Sequence, residues 1–81
     1  MNLDTIERMD FLIRTKSTGS PDEFACKLGL STRSLYNYLH FMKVRLRAPI
    51  EFCKNSQNYY YSGRGVLLMG WTEASVNTQA G

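Results

Sequence analysis

The chain has little of what builds a disulfide-stapled, metal-bound or membrane-spanning protein. Its 81 residues hold two cysteines, Cys26 and Cys53, too few for a disulfide framework. The single histidine, His40, joins them in no CxxC or HxxxH spacing, so neither a metal nor another cofactor is expected. Cys26 reads as a small core filler, Cys53 as a strand residue and His40 as a surface group. The longest apolar run is Val66-Leu67-Leu68-Met69, far short of the ~20 residues a membrane span needs. The opening MNLDTIERMD has neither a basic n-region nor an apolar h-region, so a secretory leader is not expected and a reducing cytoplasm is the default compartment. Walker loops, nucleophile elbows and paired catalytic acids are missing, and His40 has no evident nucleophile partner. Neither an enzyme nor a small-molecule receptor is expected.

Acidic residues are also scarce, in one place. Between Phe24 and Gly65 stand seven basic residues (Lys27, Arg33, Lys43, Arg45, Arg47, Lys54, Arg64) against one acid, Glu51, a net of +6. The rest of the chain carries −3. If the middle forms one surface, that surface suits a polyanion; the plainer reading is a solvated charged face. Hydrophobic content of 43% is enough for one small domain.

The segment LDTIERMDFLIRTKSTG sets Leu3, Ile6, Met9, Leu12 and Ile13 near one helical stripe. Asp4 with Glu7 is a candidate capping box, unless Leu3 already lies inside the helix, and Gly19 is a candidate stop. SPDE is a clearer start: Ser20 as N-cap, Pro21 at N1 and Glu23 at N3. Phe24, Ala25 and Leu28 give that short helix an apolar face, and Gly29 ends it. Ser31 at once offers a new N-cap, so two helices meet across about three residues in a helix-turn-helix arrangement. The third helix, about 31–47, keeps Leu35, Leu39, Met42 and Leu46 on one stripe, with Ala48-Pro49 as its stop.

The pattern then turns β-like. Residues 49–53 and 58–62 read as a hairpin around the turn residues KNSQN. Alternation sends Tyr60 to one face and Tyr59 and Tyr61 to the other, so at least one tyrosine belongs to the core. Residues 66–71 read as a third strand or as an apolar docking segment. The expected organisation is one domain over 1–71 with a polar tail over 72–81.

Three helices followed by a hairpin is the order of an α+β winged helix domain. The stretches SPDEFACKLGLSTRSLYNYLHFM and APIEFCKNSQNYYYS also resemble the helix-turn-helix domains of bacterial DeoR-like winged helix regulators, over roughly residues 3–62. The Leu28-Gly29-Leu30-Ser31 joint with Leu35 and Leu39, and the Pro49-Ile50 opening of the hairpin with Asn58-Tyr59-Tyr60, carry the likeness. This chain departs from the family in having Thr32 and Asn37 where arginines are frequent, and Tyr38 and Phe41 at positions that are usually charged.

The resemblance implies sequence-specific binding of double-stranded DNA, with the third helix in the major groove and the hairpin as a wing, in a transcriptional regulator. Helical spacing agrees: with Leu35, Leu39 and Met42 inward, Thr32, Arg33, Tyr36, Asn37 and His40 fall outward or on the flanks as candidate base readers. Arginine can bond guanine and asparagine can bond adenine at their major-groove edges. Candidate phosphate contacts are Ser31, Ser34, Lys43, Arg45 and Lys54, with Ser31 an N-cap in either case. Asn55, Ser56 and Gln57 are either a groove-reaching wing tip or an ordinary polar turn. Leu67, Leu68, Met69 and Trp71 are candidate contacts of a homodimer, or the side chains of a strand that closes the domain's own core. The rival class is a protein-interaction or dimerisation module using Tyr36, Tyr38 and Phe41 on the third helix together with the apolar segment.

Overall fold

The computed structural model describes residues 2–67 and 71–73. It contains α1 (Leu3–Arg14), α2 (Pro21–Leu28) and α3 (Thr32–Val44), followed by β1 (Ile50–Cys53), β2 (Asn58–Tyr61), β3 (Gly65–Leu67) and β4 (Trp71–Glu73). The layout is α+β: three helices, then an antiparallel hairpin. No described helix is long and apolar enough to cross a membrane.

Each helix begins at a side-chain cap. For α1 that cap is Asn2, whose Oδ1 accepts from the N–H of Asp4 at 2.9 Å and of Thr5 at 3.4 Å. The Asp4–Glu7 box is therefore not used, and Leu3 lies inside the helix but outside the core, 67% exposed. Before α2, Ser20 and Glu23 form the expected reciprocal box: Ser20 N–H donates to Glu23 Oε1 at 2.8 Å, and Glu23 N–H to Ser20 Oγ at 3.3 Å. Ser31 Oγ caps α3 by accepting from Ser34 N–H at 3.1 Å.

Two of the three helices end elsewhere than the spacing predicted. Only α2 stops as expected, with Gly29 at φ +70°. Helix α1 stops at Arg14, well before Gly19. Lys16 takes the left-handed conformation at φ +55°, while its N–H reaches Ile13 O and that of Ser17 reaches Leu12 O. Gly19 is needed for another reason: at φ +75°, a Cβ there would lie 2.5 Å from Glu23 Oε1 and 2.9 Å from Glu23 Cβ. Helix α3 stops at Val44, short of Ala48-Pro49. The chain reverses at Arg47 (φ +59°), and Ala48 N–H donates back to Met42 O at 2.9 Å.

The core takes Ile6, Met9 and Ile13 from α1, Phe24, Ala25 and Leu28 from α2, and Leu35, Leu39 and Met42 from α3. Ala48, Ile50 and Tyr59 close it from the hairpin side. Leu12 and Leu46 are half-buried against it. Cys26 is exposed, not a core filler, because it lies opposite the Phe24–Leu28 face of α2.

Strands β1 and β2 pair antiparallel with Ile50 opposite Tyr61 and Phe52 opposite Tyr59, which puts these four on one face. Tyr59 packs against the Phe24 and Phe52 rings at centroid distances of 5.5 and 4.9 Å. Thr18, fully buried, accepts from Tyr59 N–H at 2.9 Å, and Gly19 N–H donates to Asn58 Oδ1 at 2.8 Å. Tyr61 donates its hydroxyl to Asp10 Oδ1 at 2.7 Å, and Asp10 Oδ2 accepts from Arg14 Nε at 3.0 Å. The hairpin is thus fastened to α1 and to the loop after it.

Strand β3 pairs with β4, Leu67 opposite Trp71, in a separate two-stranded sheet. Residues 66 and 67 are strand, as one of the two expectations had it, but their partner is β4 rather than the first hairpin. Strand β4 includes Thr72 and Glu73, the first residues of the segment read as a tail. Leu68, Met69 and residues 74–81 lie outside the described residues.

Candidate nucleic-acid interface

The surface of interest is the outer side of α3. Leu35, Leu39 and Met42 are buried, so a period of 3.6 turns the intervening residues outward. Thr32, Arg33, Tyr36, Asn37 and His40 are all exposed, and together they form one strip. Among the described residues, no hydrogen bond or ion pair engages the side chains of Arg33, Asn37 or His40. A guanidinium and a carboxamide one helical turn apart, both free to meet new partners, can present donors and acceptors to an edge-on ligand.

Tyr36 differs from its neighbours. It is 52% exposed, yet its phenol lies beside that of Tyr59. Burial pushes the Tyr59 hydroxyl up to about 12, and the Tyr36 phenol adds to the shift. This phenol pair joins the strip to the hairpin.

Tyr38 and Phe41, the two residues at odds with the family pattern, are half-buried against the core. The Tyr38 hydroxyl accepts from Asn2 N–H at 3.1 Å, so this residue holds the start of α1. Neither adds to the exposed strip.

The remaining candidates separate into engaged and open groups. Ser31 Oγ caps the helix and donates to Ser34 Oγ at 3.2 Å, so both hydroxyls already serve the first turn of α3. Lys43 and Arg45 are exposed at the far end of the helix, and Lys54 is exposed in the turn after β1. The one ion pair among the described residues is Arg14–Asp10, so no basic group of the 24–65 stretch stands within ion-pair distance of an acid, although Lys27 attracts the Glu23 carboxylate from further off. In the 54–57 turn, Gln57 takes the left-handed conformation at φ +56° and its Nε2 donates to Lys54 O at 3.0 Å. The hydroxyl and N–H of Ser56, with the N–H of Asn55, hold the Cys53 thiol below its ordinary value. The side chains of Gln57 and Ser56 therefore close the turn, while those of Lys54 and Asn55 face solvent. Among the described residues, no hydrogen bond joins this turn to the α3 strip. Of the candidate dimer contacts, Leu68 and Met69 lie outside the described residues, and Leu67 and Trp71 are described only in their backbone pairing.

Sequence reasoning did not single out Thr18, Asp10 or Asn2, which fix the elements around the strip. Threonine before a Gly-Ser-Pro run gives no sign that its hydroxyl will receive a strand amide from 41 residues away. Compared with family models, curated proteins and solved structures, the chain matches none of them.

Proposed function

We propose that this is a winged helix protein that binds double-stranded DNA, as in the DeoR-like regulators its sequence resembles, and that it controls transcription. Helix α3 enters the major groove, and the β1–β2 hairpin is the wing. The observation that carries this reading is the exposed strip Thr32, Arg33, Tyr36, Asn37 and His40, on a helix whose stripe Leu35, Leu39 and Met42 is buried in the core. Arg33 reads guanine and Asn37 reads adenine. Thr32, Tyr36 and His40 flank them. Lys43, Arg45 and Lys54 contact phosphate, as does the capped start of α3 at Ser31 and Ser34.

The protein-interaction alternative drew on three aromatic residues of α3 together with the apolar segment 66–71. Two of them, Tyr38 and Phe41, are committed to the core and to α1. The remaining one, Tyr36, is flanked by polar groups, which favours DNA over an apolar partner.

A salt titration of duplex binding tests the proposal. Affinity should fall steeply as salt rises, because each neutralised phosphate releases counterions. Arg33→Ala should cost about 1–3 kcal/mol on the selected site and relax specificity at one base pair. An equal loss on every sequence would make Arg33 a phosphate contact instead, and no duplex binding at low salt would end the proposal.

A further inference from the structure

A second surface lies on α1, away from the α3 strip. A groove of about 650 Å3 runs between α1 and α2, lined by Asp4, Glu7, Arg8, Phe11, Leu12 and Lys27. It shares no residue with the strip. Phe11 is 56% exposed and Leu3 is 67% exposed, two turns apart with Glu7 between them at i, i+4 spacing. Two large apolar side chains on the outer side of one helix are not explained by the core, which α1 fills with Ile6, Met9 and Ile13.

The charges of the groove differ in kind from those of the strip. Two acids and two bases line it, so it carries no net charge and does not suit a polyanion. None of the four is in an ion pair among the described residues. The two bases are nonetheless held in place. Arg8 Nη2 donates to Lys27 O at 3.0 Å, and Lys27 Nζ donates to Ser17 O at 2.6 Å. Bonds to neutral carbonyls fix the direction of these cations without cancelling their charge.

We infer that the occupant of this groove is a second copy of the chain. Two α1 helices packed antiparallel about a two-fold axis between Glu7 and Arg8 bring Glu7 of each copy to Arg8 of the other. The same register sets Leu3 of one copy against Leu12 and Phe11 of the other. Such a contact is isologous: one patch meets itself. An acidic or a basic peptide would satisfy one sign in the groove and leave the other unpaired. A helix bearing Glu7 and Arg8 side by side meets one charge of each sign when turned end for end, Glu7 with Arg8 and Arg8 with Glu7. At 1.5 Å per residue, a helix the length of α1 buries a small area, so association is weak and depends on concentration. The α3 strip of each copy stays uncovered.

Sedimentation equilibrium of the full chain without DNA tests this, and does so whatever the outcome of duplex binding. The average mass should climb from one chain toward two as concentration rises. Phe11→Ser should weaken association by about tenfold or more, as loss of a buried aromatic anchor does. Glu7→Arg and Arg8→Glu should each weaken it through like-charge contact, and the double variant Glu7→Arg/Arg8→Glu should restore it. Thermal melts show which variants remain folded. If Arg8→Glu does not fold, Glu7→Arg and Phe11→Ser decide the matter alone, since both positions are exposed. A chain that stays monomeric at millimolar concentration overturns the inference. So does a dimer that survives both Glu7→Arg and Phe11→Ser, which would put the contact elsewhere, as in residues 67–71.

Discussion

The α2–α3 unit and the β1–β2 hairpin are held in opposite ways. Between α2 and α3 the controlling groups are neighbours in sequence: Ser20 with Glu23, Gly29 with Cys26 and Ala25, Ser31 with Ser34. The hairpin instead relies on Thr18 and Asp10, which reach Tyr59 and Tyr61 across 41 and 51 residues. A locally specified unit tolerates the loss of one group with a modest local cost. A hairpin fastened through distant residues should respond as a whole to the loss of one of them.

The largest contrast is expected at Thr18. Thr18→Val keeps the shape but leaves the Tyr59 N–H buried without an acceptor, at a cost of about 1–3 kcal/mol. Denaturant unfolding measures the loss, and amide exchange should accelerate across β1 and β2 before it does in α2 and α3. Uniform acceleration would erase the contrast.

Next comes Tyr61→Phe, which removes the bond to the Asp10 carboxylate and should cost about 1.5 kcal/mol. The same site gives the hairpin an alkaline limit. Burial and the Asp10 hydrogen bond raise the Tyr61 hydroxyl far above its ordinary value of 10.0, and Tyr59 is raised to about 12. A raised folded value means the neutral phenols stabilise the fold fully below pH 10, and that stability is lost as pH climbs through the folded values. Melting temperature should therefore fall from pH 10 upward, with a shallower slope in Tyr61→Phe.

Ser20→Ala should have the smallest effect, about 1 kcal/mol, measured by the shift in denaturant midpoint. Here the pH limit is acidic. The Ser20 N–H and hydroxyl hold the Glu23 carboxyl below 4.5, so its contribution is present above that value and lost as pH falls through the lowered one. Glu23→Gln should flatten the acidic limb and leave the alkaline one unchanged.

The same contrast explains what could be read ahead of the structure. The α2 box, the Gly29 joint, the Ser31 cap, the buried stripe of α3 and the β1–β2 hairpin all follow from residues within a few positions of one another. The outer strip followed with them, because fixing Leu35, Leu39 and Met42 inward leaves Arg33 and Asn37 no other side. What escaped depends on remote neighbours. Gly19 looked like the end of α1, but its freedom is used by the Glu23 side chain folding over it, and Lys16 makes the turn at about 1 kcal/mol of backbone strain. Tyr38 looked misplaced because helical spacing cannot report that Asn2, 36 residues earlier, will lie against its hydroxyl.

The remote fastening of the hairpin also sets an order of assembly. Closing a chain segment costs entropy that grows with its length, and contacts of long sequence separation form late. The helices can nucleate as soon as they leave the ribosome, but Asp10 and Thr18 must wait until Tyr59 and Tyr61 have been synthesised. A nascent chain of 44 to 58 residues therefore carries the sequence of all three helices while the Phe24 ring still lacks its Tyr59 partner. The hairpin that covers the Phe24 side of the core thus arrives only after the helices whose apolar faces it helps to close.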